Sequence, residues 1–208
     1  MRNIIHTAGL VTAGLLVALW PAAAEVITFD SYPVSDNDLQ SGTITTQGFN
    51  FTADTFYIVN APGDCAGGCV DDGSQFLAST GSTVTVTNPR NIGFSLAGLD
   101  SARLFLTPGG IASLPNADTL NLLGTLMNGS TVSTSLTLPL EGSFQTFAIG
   151  GFDDLKSLAI SGTANGVGGA SWALDNLVVA AVPEPAALMA MCGALGLVLA
   201  LASRRRGS

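Results

Sequence analysis

Carboxylates are the one reactive resource this chain holds in quantity. Residues 25–182 carry twelve Asp together with Glu25 and Glu141, against only Arg90, Arg103 and Lys156, for a net charge of −11. Asp oxygens are hard ligands, and calcium takes six to eight such oxygens at roughly 2.3–2.6 Å. Two aspartates stand out by position. Asp30 ends the first apolar segment (EVITFD), and Asp175 interrupts the last (WALDNLVVA). If those segments pair as strands, the two carboxylates converge with backbone carbonyls at one edge of the fold. Like charges so placed call for a counter-ion, which makes Asp30 and Asp175 candidate ligands of a structural calcium. Asp64, Asp71 and Asp72 form a rival acidic group in a glycine-rich stretch. The plainer reading of Asp175 is a carboxylate that accepts main-chain N–H bonds and binds no metal.

The rest of the catalytic repertoire is thin. The sole histidine is His6, so a Ser-His-Asp or Cys-His centre and a His-ligated zinc have no histidine beyond that position. No glycine-rich phosphate loop occurs. A carboxylate pair for glycoside hydrolysis stays open as a reading, but the sequence singles out no two aspartates for it. Cys65 and Cys69 frame Ala66-Gly67-Gly68, and in an oxidising compartment the expectation is a disulfide. A redox role is disfavoured by the acidic neighbours Asp64, Asp71 and Asp72, which raise rather than lower a thiol pKa. Cys192 lies within an apolar run and reads as a small apolar residue. Trp172 shares its alternating face with Leu174 and Val178, which points to core packing; Tyr32, Phe56 and Tyr57 are the freer aromatic candidates for stacking on a sugar. With no basic patch, the chain is not expected to bind nucleic acid.

The elements that must position these residues read as strands. Short alternating segments are expected at Glu25–Asp30, Thr43–Thr52, Thr55–Asn60, Ser82–Thr87, Asn91–Leu99, Ala102–Thr107, Thr119–Met127, Thr131–Leu138, Ser143–Ile149, Leu155–Ser161 and Trp172–Ala180. Gly, Asn, Asp and Pro punctuate them, the signature of an all-β sandwich or jelly roll. Helical periodicity is weak, with Ala112–Leu123 the best exception and Pro115 against it. Phe29, Phe49, Phe51, Phe94, Phe105, Phe144, Phe147 and Trp172 are the expected large core residues. First and last strands are expected to pair, since chain ends in compact domains tend to lie close.

Both ends of the chain differ from this middle. Residues 1–24 fit a secretory signal: Arg2 supplies a positive start, Ala8–Trp20 an apolar stretch, and Ala22-Ala23-Ala24 small residues before a cut ahead of Glu25. Residues 25–182 then form the ectodomain and 183–206 a terminal segment. In the latter, Ala186–Ala202 is uncharged throughout and at about 1.5 Å per residue is just long enough to be a transmembrane helix. Arg204, Arg205 and Arg206 follow it and are expected to stay cytoplasmic, leaving the ectodomain outside. Val182, Pro183, Glu184 and Pro185 precede it. Two prolines there can continue neither strand nor helix and leave an extended, protease-accessible segment at the membrane face.

That order of Val-Pro-Glu-Pro, apolar stretch and Arg cluster resembles the PEP-CTERM sorting signal, the substrate tail of exosortase. The resemblance implies an exopolysaccharide-producing Gram-negative source. It also implies inner-membrane anchoring, then cleavage near Val182–Pro185 by a membrane-embedded transpeptidase-like enzyme and delivery to the cell surface or beyond. The segment Gly151–Val179, with its Leu174-Asp175-Asn176-Leu177, is similar to the closing strands of ectodomains carried by such proteins, which resemble jelly-roll modules that include carbohydrate-binding domains. The function expected is a non-enzymatic surface or matrix protein associated with exopolysaccharide. A lectin-like module with a defined sugar site is the alternative, and a secreted glycoside hydrolase a more distant one.

Overall fold

A computed structural model describes residues 24–33, 38–60, 68–107, 110, 114–140 and 142–181. The leader, the sorting motif and the terminal apolar and arginine segments lie outside the described residues. Among the described residues no helix is long and apolar enough to cross a membrane.

Among the described residues there are twelve strands: β1 (Glu25–Ile27), β2 (Asp38–Thr46), β3 (Phe49–Val59), β4 (Phe76–Thr80), β5 (Val84–Thr87), β6 (Phe94–Arg103), β7 (Thr119–Leu126), β8 (Thr131–Thr137), β9 (Gln145–Ala148), β10 (Leu155–Ala164), β11 (Val167–Gly168) and β12 (Ser171–Ala181). The strand pairings are antiparallel; the main path runs β8-β7-β10-β5-β3-β4-β12-β6-β9, with β1 on β12, β2 on β3, β11 on β10 and one further β10–β6 pair at Leu155 and Phe94. The path folds over because β3 belongs to both halves. Its residues Asn50–Thr52 pair with β5, and Tyr57–Val59 pair with β4. The result is the all-β sandwich expected: one sheet of β8, β7, β10, β5 and the start of β3, and a second of the end of β3, β4, β12, β6 and β9.

Between the sheets lies the main core. Phe29, Phe51, Phe56, Phe94, Phe152 and Trp172 are wholly or almost wholly buried in it. Phe29 meets Phe51 edge-on at 5.1 Å and Phe49 meets Phe94 at 5.3 Å, the geometry aromatic quadrupoles prefer. The outer face of the second sheet is covered as well. Val59, Val70, Phe76, Ala78, Leu104, Phe105 and Ala173 form a second cluster there. Asn116 pins the covering loop: its buried amide bonds Phe105 N, Phe105 O and Thr107 O at 2.8–2.9 Å.

Several expectations need correction. Thr43–Thr52 is not one strand but a hairpin, turning at Gln47 and Gly48, both at positive φ. Asp100-Ser101 does not interrupt a strand; β6 runs through it, because the Ser101 hydroxyl donates to Ala173 O at 2.6 Å and Asp100 accepts from Asn176. The strand β4 had no counterpart in the sequence reading, and residues 119–123 lie in β7 rather than in a helix. Phe56 is buried in the core, so it offers no ring to a sugar. Trp172 is buried as expected, and β1 pairs with β12, placing Glu25 opposite Val179.

Candidate functional site

Two features of the fold bear on function: an acidic junction where the chain ends meet and an open hydroxyl-lined sheet face.

The junction is built by three separate segments. After Ile27 the chain leaves β1, and Phe29–Tyr32 makes a turn closed by Tyr32 N to Phe29 O at 2.9 Å. Asp30 in that turn accepts from Gln75 N at 2.9 Å, so the turn is tied to the loop ahead of β4. In that loop Asp72 accepts from Ser74 N at 3.1 Å and from the Ser74 hydroxyl at 2.7 Å. The same hydroxyl lies 3.1 Å from Asp175 Oδ2. Asp175 sits on β12 where the register with β6 shifts, next to Asn176 at positive φ. The bulge turns Asp175 toward the loop. The sequence separation between Ser74 and Asp175 is 101 residues, so only the folded sheet brings them together.

The electrostatics of this junction are unbalanced. Asp175 is only 1% exposed, and its Oδ1 has no hydrogen-bond partner. Burial is the main force on its carboxyl and lifts the pKa from 3.8 to about 7. The charges of Asp72 and Asp30 push the same way, while the Asn176 main-chain amide and the Ser74 hydroxyl pull it back. One hydroxyl hydrogen cannot serve two carboxylates: Ser74 donates to Asp72 or to Asp175, leaving the other contact without a proton. The Gln75 carboxamide completes the picture. Its Nε2 donates to Phe29 O at 3.0 Å and to Tyr32 O at 3.1 Å, which ties the turn after β1 to the loop ahead of β4 a second time.

A cation such as calcium would meet hard oxygen ligands here: the buried, unpartnered Oδ1 of Asp175 and the carboxylates of Asp72 and Asp30. Among the described residues no three His, Cys, Asp or Glu side chains form a metal-holding group by themselves. Asp72, which the sequence grouped with Asp64 and Asp71, belongs to this junction. Asp71 instead accepts from Gly73 N at 2.9 Å in a local turn, and Asp64 lies outside the described residues. Ser74 and Gln75 carried no sequence signal; only their placement between Asp30 and Asp175 reveals them.

Cys69 is disulfide-bonded. Cys65, the partner expected, lies outside the described residues. With so short an intervening loop, closure is expected to stabilise by about 1–2 kcal/mol. Non-reduced full chain should then resist alkylation at both positions in peptide mapping, and labelling of either Cys65 or Cys69 without reductant would refute the pairing.

The outer face of the first sheet is open, its outward side chains exposed or half-buried. Register places Thr45, Asn50, Thr87, Ser157, Thr125 and Thr131 in one row across six strands, and Thr43, Thr52, Thr85, Ala159, Leu123 and Ser133 in the next. Ser161, Asn121 and Ser135 continue a third. No position in these rows carries a charge or an aromatic ring. Neighbours along a row stand about 4.8 Å apart and rows about 6.7 Å apart, the inter-strand and two-residue spacings of a sheet. Cross-strand bonds pre-set the array: Thr43 with Thr52 at 2.7 Å, Thr45 with Asn50 at 2.7 Å, and Ser135 with Asn121 at 2.8 Å.

No protein-family profile matches the chain, and no curated protein matches it. Several solved structures are similar in outline. A variant of the family 29 carbohydrate-binding module CBM29-2 overlaps 79% of this chain and 99% of its own, with a TM-score of 0.43 and 11% identity. The CBM22-1 xylan-binding domain of Paenibacillus barcinonensis Xyn10C overlaps 79% and 97%, at 0.39 and 10%. TmCBM61, solved with β-1,4-galactotriose, overlaps 65% and 90%, at 0.37 and 10%. With so loose an overlap, the strand order of the chain itself defines its fold.

Proposed function

We propose that this chain is a non-enzymatic surface protein, sorted through exosortase by its terminal segment, that associates with neutral extracellular polysaccharide through the open face of its first sheet. The observation that supports this reading is the face itself. A domain of net charge −11 sets three uncharged rows on this face and lines them mainly with hydroxyl and amide groups. Such groups donate and accept alike, as sugar hydroxyls do. An anionic polymer is repelled by the net charge of the domain.

The same face argues for many weak contacts over a defined sugar pocket. Each hydrogen bond exchanged with water nets only about 0.5–1.5 kcal/mol, and no aromatic platform adds stacking. Retention in a matrix then depends on many contacts made at once along a chain. The hydrolase reading has no pair of carboxylates on this face to carry it.

Affinity electrophoresis of the full chain is the test. Gels containing a neutral polymer such as mannan, xylan or hydroxyethyl cellulose should retard it, and gels containing alginate should not. Replacing Thr52 and Thr85 together with Lys should abolish retardation in the neutral gels. Free migration in every neutral gel, or retardation only in alginate, would overturn the proposal.

A further inference from the structure

The strand β8 is an edge, and it lacks every device by which edges are kept from pairing. Short strands, bulges, prolines and charges normally blunt an exposed edge. The other marginal strands show them: β9 has four residues, β1 three, β11 two, and β2 breaks register between Gln40 and Gly42. In contrast β8 pairs with β7 without interruption from Thr131 to Thr137, contains neither proline nor charge, and among the described residues pairs with β7 alone.

Its free hydrogen-bonding groups can be assigned. Leu138 N donates to Asp118 O and Leu126 N donates to Ser130 O, so the even-numbered positions of this stretch turn their peptide groups toward β7. In an antiparallel ladder bonded and non-bonded pairs alternate. The N–H and C=O of Thr131, Ser133, Ser135 and Thr137 therefore point outward.

The sequence of β8, Thr-Val-Ser-Thr-Ser-Leu-Thr, reads nearly the same in both directions about Thr134. An antiparallel copy centred there sets Ser133 against Ser135 and Thr131 against Thr137, all with outward peptide groups, so every free N–H and C=O finds a partner. Val132 meets Leu136 on the half-buried face, and Thr134 meets its own copy on the axis. A two-fold interface demands such self-complementarity. The neighbour β7 is also uncharged, so the two acidic domains approach at a neutral margin.

We propose that β8 is a self-association edge, where two copies of this chain pair antiparallel about Thr134 and join their first sheets into one. This pairing does not depend on what the sheet face binds. It extends the hydroxyl-lined face across both copies, and salt should strengthen it by screening the repulsion between the domains.

The mass of the full chain in nonionic detergent, measured by sedimentation across a concentration series, tests the proposal. The parent should shift from one to two chains per particle, and more readily at higher salt. Ser133→Pro should stay a monomer throughout. Proline is tolerated where the N–H faces solvent on an edge strand, so its melting midpoint should stay near that of the parent. If Ser133→Pro does not fold, the pair Ser133→Lys and Ser135→Lys replaces it, because those positions face each other across the axis. Thr134→Cys should form a disulfide-linked dimer under mild oxidation beyond any formed by the parent, since the axial pair is a close, non-hydrogen-bonded one of about 4.5 Å between Cα atoms. A parent that stays monomeric, a dimer unmoved by a folded Ser133→Pro or Lys variant, or an absent Thr134→Cys cross-link would each overturn it.

Discussion

If calcium binds at Asp175, a millimolar concentration should raise the melting temperature of the full chain by about 5–10 °C over the chelated protein, and Asp175→Asn should remove that increment. The size follows from linkage. A ligand at about a hundred times its dissociation constant stabilises the state that binds it by about 2.7 kcal/mol. In a domain of this size each kcal/mol moves the midpoint by about 2–4 °C. Asp175→Asn keeps the shape of the side chain and removes its charge. In chelator, near pH 8, the variant should melt at or above the parent, because the parent must bury an uncompensated carboxylate beside Asp72 and Asp30. A merely structural carboxylate would give the opposite result, a variant less stable in chelator and still raised by calcium.

The pH dependence carries a sign of its own. The folded carboxyl of Asp175 is raised from 3.8 to about 7, so between those values the native chain binds more protons than the unfolded one. Stability contributed by Asp175 in chelator is therefore highest below about pH 4 and declines as pH rises toward 7. Calcium binds the ionised form, so its increment grows over the same window. Melting curves at pH 5 and pH 8, with calcium and with chelator, should diverge with rising pH. Identical midpoints in calcium and chelator at both values would remove the calcium assignment.

The second large effect concerns sorting. Glu184→Ala, or removal of Arg204, Arg205 and Arg206, should leave nearly all of the chain at full length in the inner membrane, while the parent is shortened and reaches the surface fraction. The expectation rests on sequence: Glu184 stands between two prolines, which favour neither strand nor helix, and three arginines follow the apolar run, where they would keep its end cytoplasmic. Fractionation and immunoblotting of the two variants beside the parent decide it. Equal release of all three would sink the sorting proposal.

Some of this was legible in the residues and some was not, for identifiable reasons. The nearness of Asp30 and Asp175 was legible because Asp30 ends the first apolar segment and Asp175 interrupts the last, and those segments pair side by side. Asp72 was misassigned. Its neighbours in sequence suggested a local cluster, whereas its own turn with Ser74 aims it at a carboxylate on β12. The strand β4 escaped notice because Phe76, Leu77, Ala78 and Ser79 are all buried, so no polar–apolar alternation marks it. The Gln47-Gly48 turn was overlooked because Gln is not a usual first residue at positive φ; Asn or Asp before Gly would have shown it. The open face was visible only as scattered Thr and Ser until register aligned them.

The position of β12 has a mechanical consequence. It pairs with β6 on one side and with β4 and β1 on the other, and it is the last strand of the described residues, ending at Ala181. A pull exerted on the chain beyond Ala181 while the body of the domain is held runs along that strand. Antiparallel ladder bonds lie perpendicular to the strands. Such a load shears many of them together and does not peel them one by one. Rupture then requires the strand to slide between both neighbours at once, dragging Trp172 and Leu174 through the closed core. The exit strand is thus the element of this fold best placed to carry a tether under tension.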